Sequence, residues 1–212
     1  MFSGNIDKSL LLYAITDRIW LKGKKLSEAV REAILGGATF IQLREKNSGY
    51  NEFLKIAQEV KEVTDKYKIP FVINDNVDIA VAVGADGAHI GQSDEELKSA
   101  REKLGPDKII GVSAGTIKEA VEADKGDADY IGVGSVFTTS TKQDAKSVSI
   151  ETLKEICKTV NIPVVAIGGI SADNVLRLAG TGIDGISVIS AIFAREDIKD
   201  AASELLKLAK QL

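Results

Sequence analysis

An eightfold alternation of short β-rich runs with longer amphipathic stretches predicts one (β/α)8 barrel domain over residues 1–212, with its active site at the carboxyl ends of the strands. Two further observations support that fold. No Pro/Ser-rich linker or low-complexity segment divides the chain. The turn after the first strand, YAITDRIWLKG, lacks the glycine-rich fingerprint of an open doubly wound sheet, the alternative that alternating segments would also allow.

Taken in order, the strand runs fall at residues 10–16 (closed by Asp17), 39–46 (TFIQLREK), 70–75 (PFVIND) and 87–92 (GAHIGQ). The series continues at 108–115 (KIIGVSAG), 129–137 (DYIGVGSVF), 163–170 (PVVAIGGI) and 185–192 (GISVISAI). Between them, LSEAVREAILGG, NEFLKIAQEVKEVTDKY and SIETLKEICKTV carry apolar residues at three- and four-residue spacing, the period of an amphipathic helix. Ser27 reads as a start signal for the first of these and Gly36-Gly37 as its stop. The connection after the sixth strand, TTSTKQDAKSVS, is long and polar. Such loops in compact barrels are commonly functional, and its residues 138–147 read as a lid that orders on phosphates, against a plain solvated loop.

Composition narrows the function classes. Hydrophobic residues make up 44% and charged residues 27%, as in a soluble globular protein. The net charge of -4, with both signs mixed along the chain, argues against nucleic-acid or anionic-membrane partners. No stretch approaches the roughly 18 apolar residues of a membrane span, so a cytoplasmic location is expected. Cys157 is the only cysteine, which excludes an internal disulfide and a multi-thiolate zinc site; its helical surroundings make it a buried structural thiol. His89 is the only histidine, so a histidine dyad or multi-histidine metal site is excluded as well.

Polar residues at the strand ends are the candidate site. Gln42, Arg44 and Lys46 alternate along the second strand and share one face. In a barrel the end of that face lines the mouth, where three long polar groups make an anion site; Glu45 would be the partner in a structural ion-pair alternative. Asn74 and Asp75 end the third strand, Gln92 and Asp94 follow the fourth, and Ser113 ends the fifth. Two carboxylates beside two cations suit Mg²⁺ with a diphosphate, because magnesium is held by one or two carboxylates plus substrate oxygens. Helix capping is the competing role, above all for Asp94 before EELKSAREKL. Thr139, Thr141 and Lys142 lie in the long loop, Gly168-Gly169 end strand seven, and Ser187 and Ser190 belong to strand eight. Loops after the last two strands commonly bind phosphate, so the mouth reads as holding two phosphate sites. His89 is expected to face the helical layer as an ordinary core residue, and Trp20, Tyr13 and Phe137 to pack.

The ordered series QLREK, INDNVDIA, GADGAHIGQSD, GVSAGT, FTTSTKQD, AIGGI and VISAI resembles the thiamine-phosphate synthase family over nearly the whole chain. That resemblance implies a transferase joining a pyrimidine diphosphate to a thiazole phosphate, two small-molecule partners, with Mg²⁺ as cofactor; a homo-oligomer is compatible with it. It assigns Gln42, Leu43, Arg44, Glu45, Lys46, Asn74, Ser113 and Lys142 to the pyrimidine diphosphate. Asp75 and Asp94 fall to Mg²⁺, and Thr139, Ser140, Thr141, Gly169, Ile189 and Ser190 to the thiazole phosphate. Arg44, Lys46, Lys142 and Ser113 would carry the catalysis. The implied route is dissociative, with diphosphate leaving first, and needs charge stabilisation and positioning, not a base or nucleophile. Asn76, Gly115 and Ser135 depart from the family pattern, which often has arginine, histidine and proline there. Two other readings stay open: a related thiazole tautomerase, which would depend on a catalytic histidine, and a non-catalytic phosphate-binding barrel.

Overall fold

A computed structural model describes residues 6–46, 48–138 and 147–212. Eight parallel strands close into a barrel in chain order: β1 Leu12–Ile15, β2 Phe40–Leu43, β3 Phe71–Asn74, β4 Gly87–Ile90, β5 Ile109–Ala114, β6 Tyr130–Val133, β7 Val164–Ile167 and β8 Gly185–Val188. The ring is sealed where β1 pairs with β8, Tyr13 opposite Ser187. The helices are α1 Ile6–Ser9, α2 Leu26–Gly36, α3 Tyr50–Tyr67, α4 Val77–Val83, α5 Leu97–Leu104, α6 Ile117–Lys125, α7 Ile150–Thr159, α8 Ser190–Phe193 and α9 Ile198–Ala209. Each strand is shorter than its apolar run, because the polar residues ending the runs leave the hydrogen-bond ladder to form the mouth. After β7 the chain makes only a 3₁₀ turn, Val175–Leu178.

Alternation along each strand divides the apolar residues between two cores. Leu12, Ala14, Ile41, Leu43, Ile73 and their counterparts point outward and pack beneath the helices. Tyr13, Ile15, Phe40, Val72, Ile109, Tyr130 and Val165 point inward and fill the barrel. Burying a side chain of this size contributes about 1.5–3 kcal/mol. Three of the inner rings meet edge to face, Tyr13 with Phe40 at 4.6 Å between centroids and Phe40 with Tyr130 at 5.8 Å. Room for the Tyr130 ring comes from Gly111, where a Cβ would lie 2.1 Å from the Tyr130 Cζ.

At the opposite, amino-terminal rim the residue before each even-numbered strand accepts a backbone N–H from the preceding odd-numbered one. Thr39 Oγ1 takes Leu12 N at 2.9 Å, Asp86 Oδ2 takes Phe71 N at 2.9 Å, Asp129 Oδ2 takes Ile110 N at 2.7 Å and Asp184 Oδ2 takes Val164 N at 2.8 Å. The barrel base is therefore stitched four times around, by side chains remote from the mouth.

Helix ends follow ordinary capping chemistry. Asn76, Thr116, Ser149 and Asp197 cap α4, α6, α7 and α9 through their side chains, each interaction of a kind contributing about 1 kcal/mol. Gly37, at φ 109°, stops α2 as its sequence predicts. Ser27 does not start it: the cap position is Lys25, which makes no side-chain cap bond, and Ser27 lies inside the helix. Cys157 on α7 is half-buried, and burial beside Asp184 pushes its thiol up to about 11, which fits a structural role. Among the described residues no helix is long and apolar enough to cross a membrane.

Candidate active site

The carboxyl ends of the strands surround a cavity of about 550 Å³, the expected place for a site in this fold. Gln42, Arg44, Lys46, Asn74, Asp75, Asp94, Ser113, Gly169, Ile189 and Ser190 all line it, so one cavity gathers candidates from six strand ends. Thr139, Ser140, Thr141 and Lys142, with most of the loop read as a lid, lie outside the described residues.

Two residues of the second strand run do not belong to the lining. Leu43 is wholly buried in the outer core, because alternation turns it away from its neighbours Gln42 and Arg44. Glu45 pairs with Arg18 at 2.8 Å and accepts from Ser48 Oγ at 3.1 Å, outside the cavity. It is therefore not the partner of the cationic face. That partner is Asp17, whose Oδ2 lies 3.3 Å from Arg44 Nη1. The Arg44 backbone N–H donates to Thr16 Oγ1 at 3.1 Å, so the end of β1 sets the position of the arginine. Lys46 is exposed at the rim, where its charge acts on Asp75.

Asp75 and Asp94 meet across the mouth. Partial burial, a hydrogen bond to Asp94 and the charge of Asp94 push the Asp75 carboxyl up to about 6, while Lys46 and a hydrogen bond from Asn74 oppose the shift. The Asp75 backbone sits at φ 63°, in the left-handed region, and its N–H donates to the His89 carbonyl at 2.8 Å. Asp94 does not cap α5: Glu96 occupies that cap position, and Asp94 Oδ2 accepts from Gly91 N at 2.6 Å instead. Among the described residues no cluster of three or more His, Cys, Asp or Glu is arranged to hold a metal. The pair still fits magnesium, since two hard carboxylates that repel one another leave the other coordination positions to water and substrate oxygens.

The cavity floor is a string of buried polar groups. Gln42, 2% exposed, donates its amide Nε2–H to the Tyr13 hydroxyl. The Tyr13 and Tyr130 hydroxyls are 2.8 Å apart, Tyr130 reaches His89 Nδ1 at 3.0 Å, and His89 Nε2 reaches Ser113 Oγ at 3.0 Å. His89 thus faces the cavity and not the helical layer. On β4, His89 lines the cavity, while its neighbours Ala88 and Ile90 pack outward. Tyr13 likewise lines the cavity as well as packing. Tyr130 lies outside the candidates the sequence offers, although its alternation with Gly132 and Gly134 along the sixth strand run is a usable signal. Burial raises both phenols above their ordinary pKa, so both are neutral. Ser187, 3% exposed and also lining the cavity, has an Oγ with no hydrogen-bond partner among the described residues.

Across the mouth, Gly169 holds φ 65° and packs so closely on β6's exit that a Cβ would meet the Thr138 carbonyl at 2.4 Å. Asn174 fixes this turn, donating to the Gly169 carbonyl at 2.8 Å and accepting from Ser171 N at 2.9 Å. Phe137 packs as expected, under the Arg177 guanidinium at 5.0 Å. The three departures from the family pattern serve local backbone: Asn76 Oδ1 accepts from Ile79 N, Ser135 Oγ donates to the Phe137 carbonyl, and Gly115 N donates to Glu119 Oε2.

A closed parallel barrel whose cations, carboxylates and buried hydroxyls converge at one mouth is a (β/α)8-barrel enzyme. Comparison with known proteins gives the particular kind. The family model for thiamine monophosphate synthase matches residues 12–192, and the chain belongs to that family. It is 55% identical to the thiamine-phosphate synthase of Clostridium tetani over 97% of both chains. It is also 55% identical to that of Ruminiclostridium cellulolyticum, over 93% of this chain and 94% of the relative. Among solved structures, thiamine phosphate pyrophosphorylase from Pyrococcus furiosus superposes with a TM-score of 0.90 at 45% identity, covering 97% of this chain and 98% of that one. The chain is accordingly a transferase of thiamine biosynthesis.

Proposed function

We propose that the protein joins an aminopyrimidine bearing a diphosphooxymethyl arm to a thiazole bearing a phosphoethyl arm, giving thiamine phosphate and diphosphate in the cytoplasm. The observation that carries this reading is the convergence of Arg44 and Lys46 with the Asp75–Asp94 pair at one side of a single cavity, facing the Gly169 turn and Ser190 on the other.

In this reading the C–O bond of the pyrimidine's methylene breaks first, and the electron pair leaves with diphosphate. The electron-rich ring stabilises the cation left behind, and the thiazole nitrogen then donates its lone pair to form the new C–N bond. Arg44 and Lys46 stabilise the charge that builds on the departing oxygens, a preorganised electrostatic role. Lys142 joins them on the strength of the family resemblance. Gln42 and Ser113 hold the pyrimidine end, Asn74 braces Asp75, and Gly169, Ile189 and Ser190, with Thr139, Ser140 and Thr141, hold the thiazole phosphate. Asp75 and Asp94 would hold Mg²⁺, which supplies positive charge to the leaving group when bound.

The tautomerase alternative asks His89 to move a substrate proton. Both of its ring nitrogens are instead engaged by Tyr130 and Ser113, which favours the coupling reaction. The test is product formation from the two purified substrates, with Mg²⁺ and with excess chelator. Thiamine phosphate should form only with the metal. No product under either condition would overturn the substrate assignment, and full activity in chelator would overturn the metal's role.

A further inference from the structure

We propose that Gln42, Tyr13, Tyr130, His89 and Ser113 form one directional hydrogen-bond chain that holds His89 as its Nε2–H tautomer and turns the Ser113 hydroxyl into a donor toward the anionic substrate. The donor role of Ser113 rests on the function proposed above, as does the preference for this polarity over its reverse; the string of contacts does not.

The argument follows the protons. Neither phenol ionises, and each carries one proton, so each can donate once. With the Gln42 amide nitrogen toward Tyr13, the Tyr13 oxygen accepts. The Tyr13 proton then goes to its neighbour 2.8 Å away, the Tyr130 oxygen. The Tyr130 proton goes in turn to His89 Nδ1 at 3.0 Å. A neutral imidazole whose Nδ1 accepts carries its proton on Nε2, which points at Ser113 Oγ, also at 3.0 Å. Ser113 therefore receives a hydrogen bond from below and keeps its own proton for the cavity. Its backbone is held as well, since Gln92 Nε2 donates to the Ser113 carbonyl at 2.8 Å.

The same heavy atoms admit the reverse polarity, in which the Gln42 amide oxygen accepts, His89 carries its proton on Nδ1, and Ser113 spends its proton on His89. Ser113 would then show only lone pairs to the ligand, beside Arg44 and Lys46 that gather negative charge. The forward polarity agrees with the charge of the site and the reverse opposes it. His89 is in this account a positioning residue: it acts on substrate through Ser113.

Because the chain has one histidine, labelling histidine with nitrogen-15 gives the spectrum of a single imidazole. At about pH 8, where an imidazole is ordinarily neutral, the long-range proton–nitrogen correlations should show the Nε2–H pattern alone. The Nδ1–H pattern, or a mixture, would overturn the proposal with no variant needed. Gln42→Met removes the donor that starts the chain without touching His89, so it should convert the single pattern into a mixture. An unchanged pattern in that folded variant would show that Gln42 does not set the direction.

The link to Ser113 is read kinetically. Tyr130→Phe should lower coupling about tenfold, the worth of one hydrogen bond, and that loss should vanish in a Ser113→Ala background. A tenfold loss persisting there would refute the route through Ser113. A wild-type protein with the Nε2–H pattern and no coupling activity would overturn the proposed function and leave the chain standing; the opposite result would do the reverse.

Discussion

Asp75 combines a strained backbone with an uncomfortable charge. Its carboxyl, raised from 3.8 to about 6, holds a proton more tightly in the folded protein than in the unfolded chain. That proton's contribution to stability is complete at about pH 4 and below, and is lost as pH rises through about 6. Asp75→Asn keeps a residue type that tolerates positive φ and removes the ionisation. The variant should therefore melt higher than wild type without metal above about pH 6, with the advantage shrinking toward pH 4, while Mg²⁺-dependent coupling is lost. Melting curves at the two ends of that range check the sign, and a constant offset would remove the titration as its cause. Ser187 makes a complementary case. Its buried hydroxyl has no partner among the described residues, so Ser187→Ala should leave the melting temperature unchanged or raise it slightly.

At the level of strands and helices, the rim opposite the active site bears on stability and not on chemistry. Asp86→Ala leaves the Phe71 N–H without its acceptor, which costs about 1–3 kcal/mol. In a chain of this size that lowers the melting temperature by about 2–4 °C per kcal/mol. Coupling per folded molecule should not change; a large fall in turnover would mean that the rim communicates with the mouth. The strands themselves were legible, because buried parallel strands are short apolar runs and eight of them stand out. Which face each residue takes was less so. His89 falls on the inner face of β4 against expectation, since GAHIG has small residues on both faces and the partners Tyr130 and Ser113 lie 41 and 24 residues away. Leu43 and Glu45 entered the candidate site with the contiguous motif QLREK, whereas a strand delivers only alternate residues to one face. Tyr130 and Asp17 gained their importance from partners 117 and 27 residues away, contacts that no local pattern encodes.

For the molecule as a whole, a net charge of -4 coexists with a mouth whose cations and carboxylates each need a partner of opposite sign. Arg44 has Asp17, but Lys46 is exposed, and the Asp75–Asp94 pair shares a hydrogen bond against its own repulsion. A ligand bringing both diphosphate and Mg²⁺ satisfies the two halves together, so binding should stabilise the whole barrel. A ligand at a hundred times its Kd adds about 2.7 kcal/mol, which for this chain length is about 5–10 °C in melting temperature. The halves should separate by mutation. Asp75→Asn should abolish the part of the shift that depends on Mg²⁺ and keep the part that diphosphate produces alone. Lys46→Ala should weaken the diphosphate part, and added salt should weaken it further, because the contact lies at an exposed rim. Differential scanning fluorimetry with diphosphate, Mg²⁺ and both, in the three proteins, resolves these contributions. If Asp75→Asn shows the same combined shift as wild type, the carboxylate pair does not hold the metal, and the charge balance of the mouth has to be rebuilt around other residues.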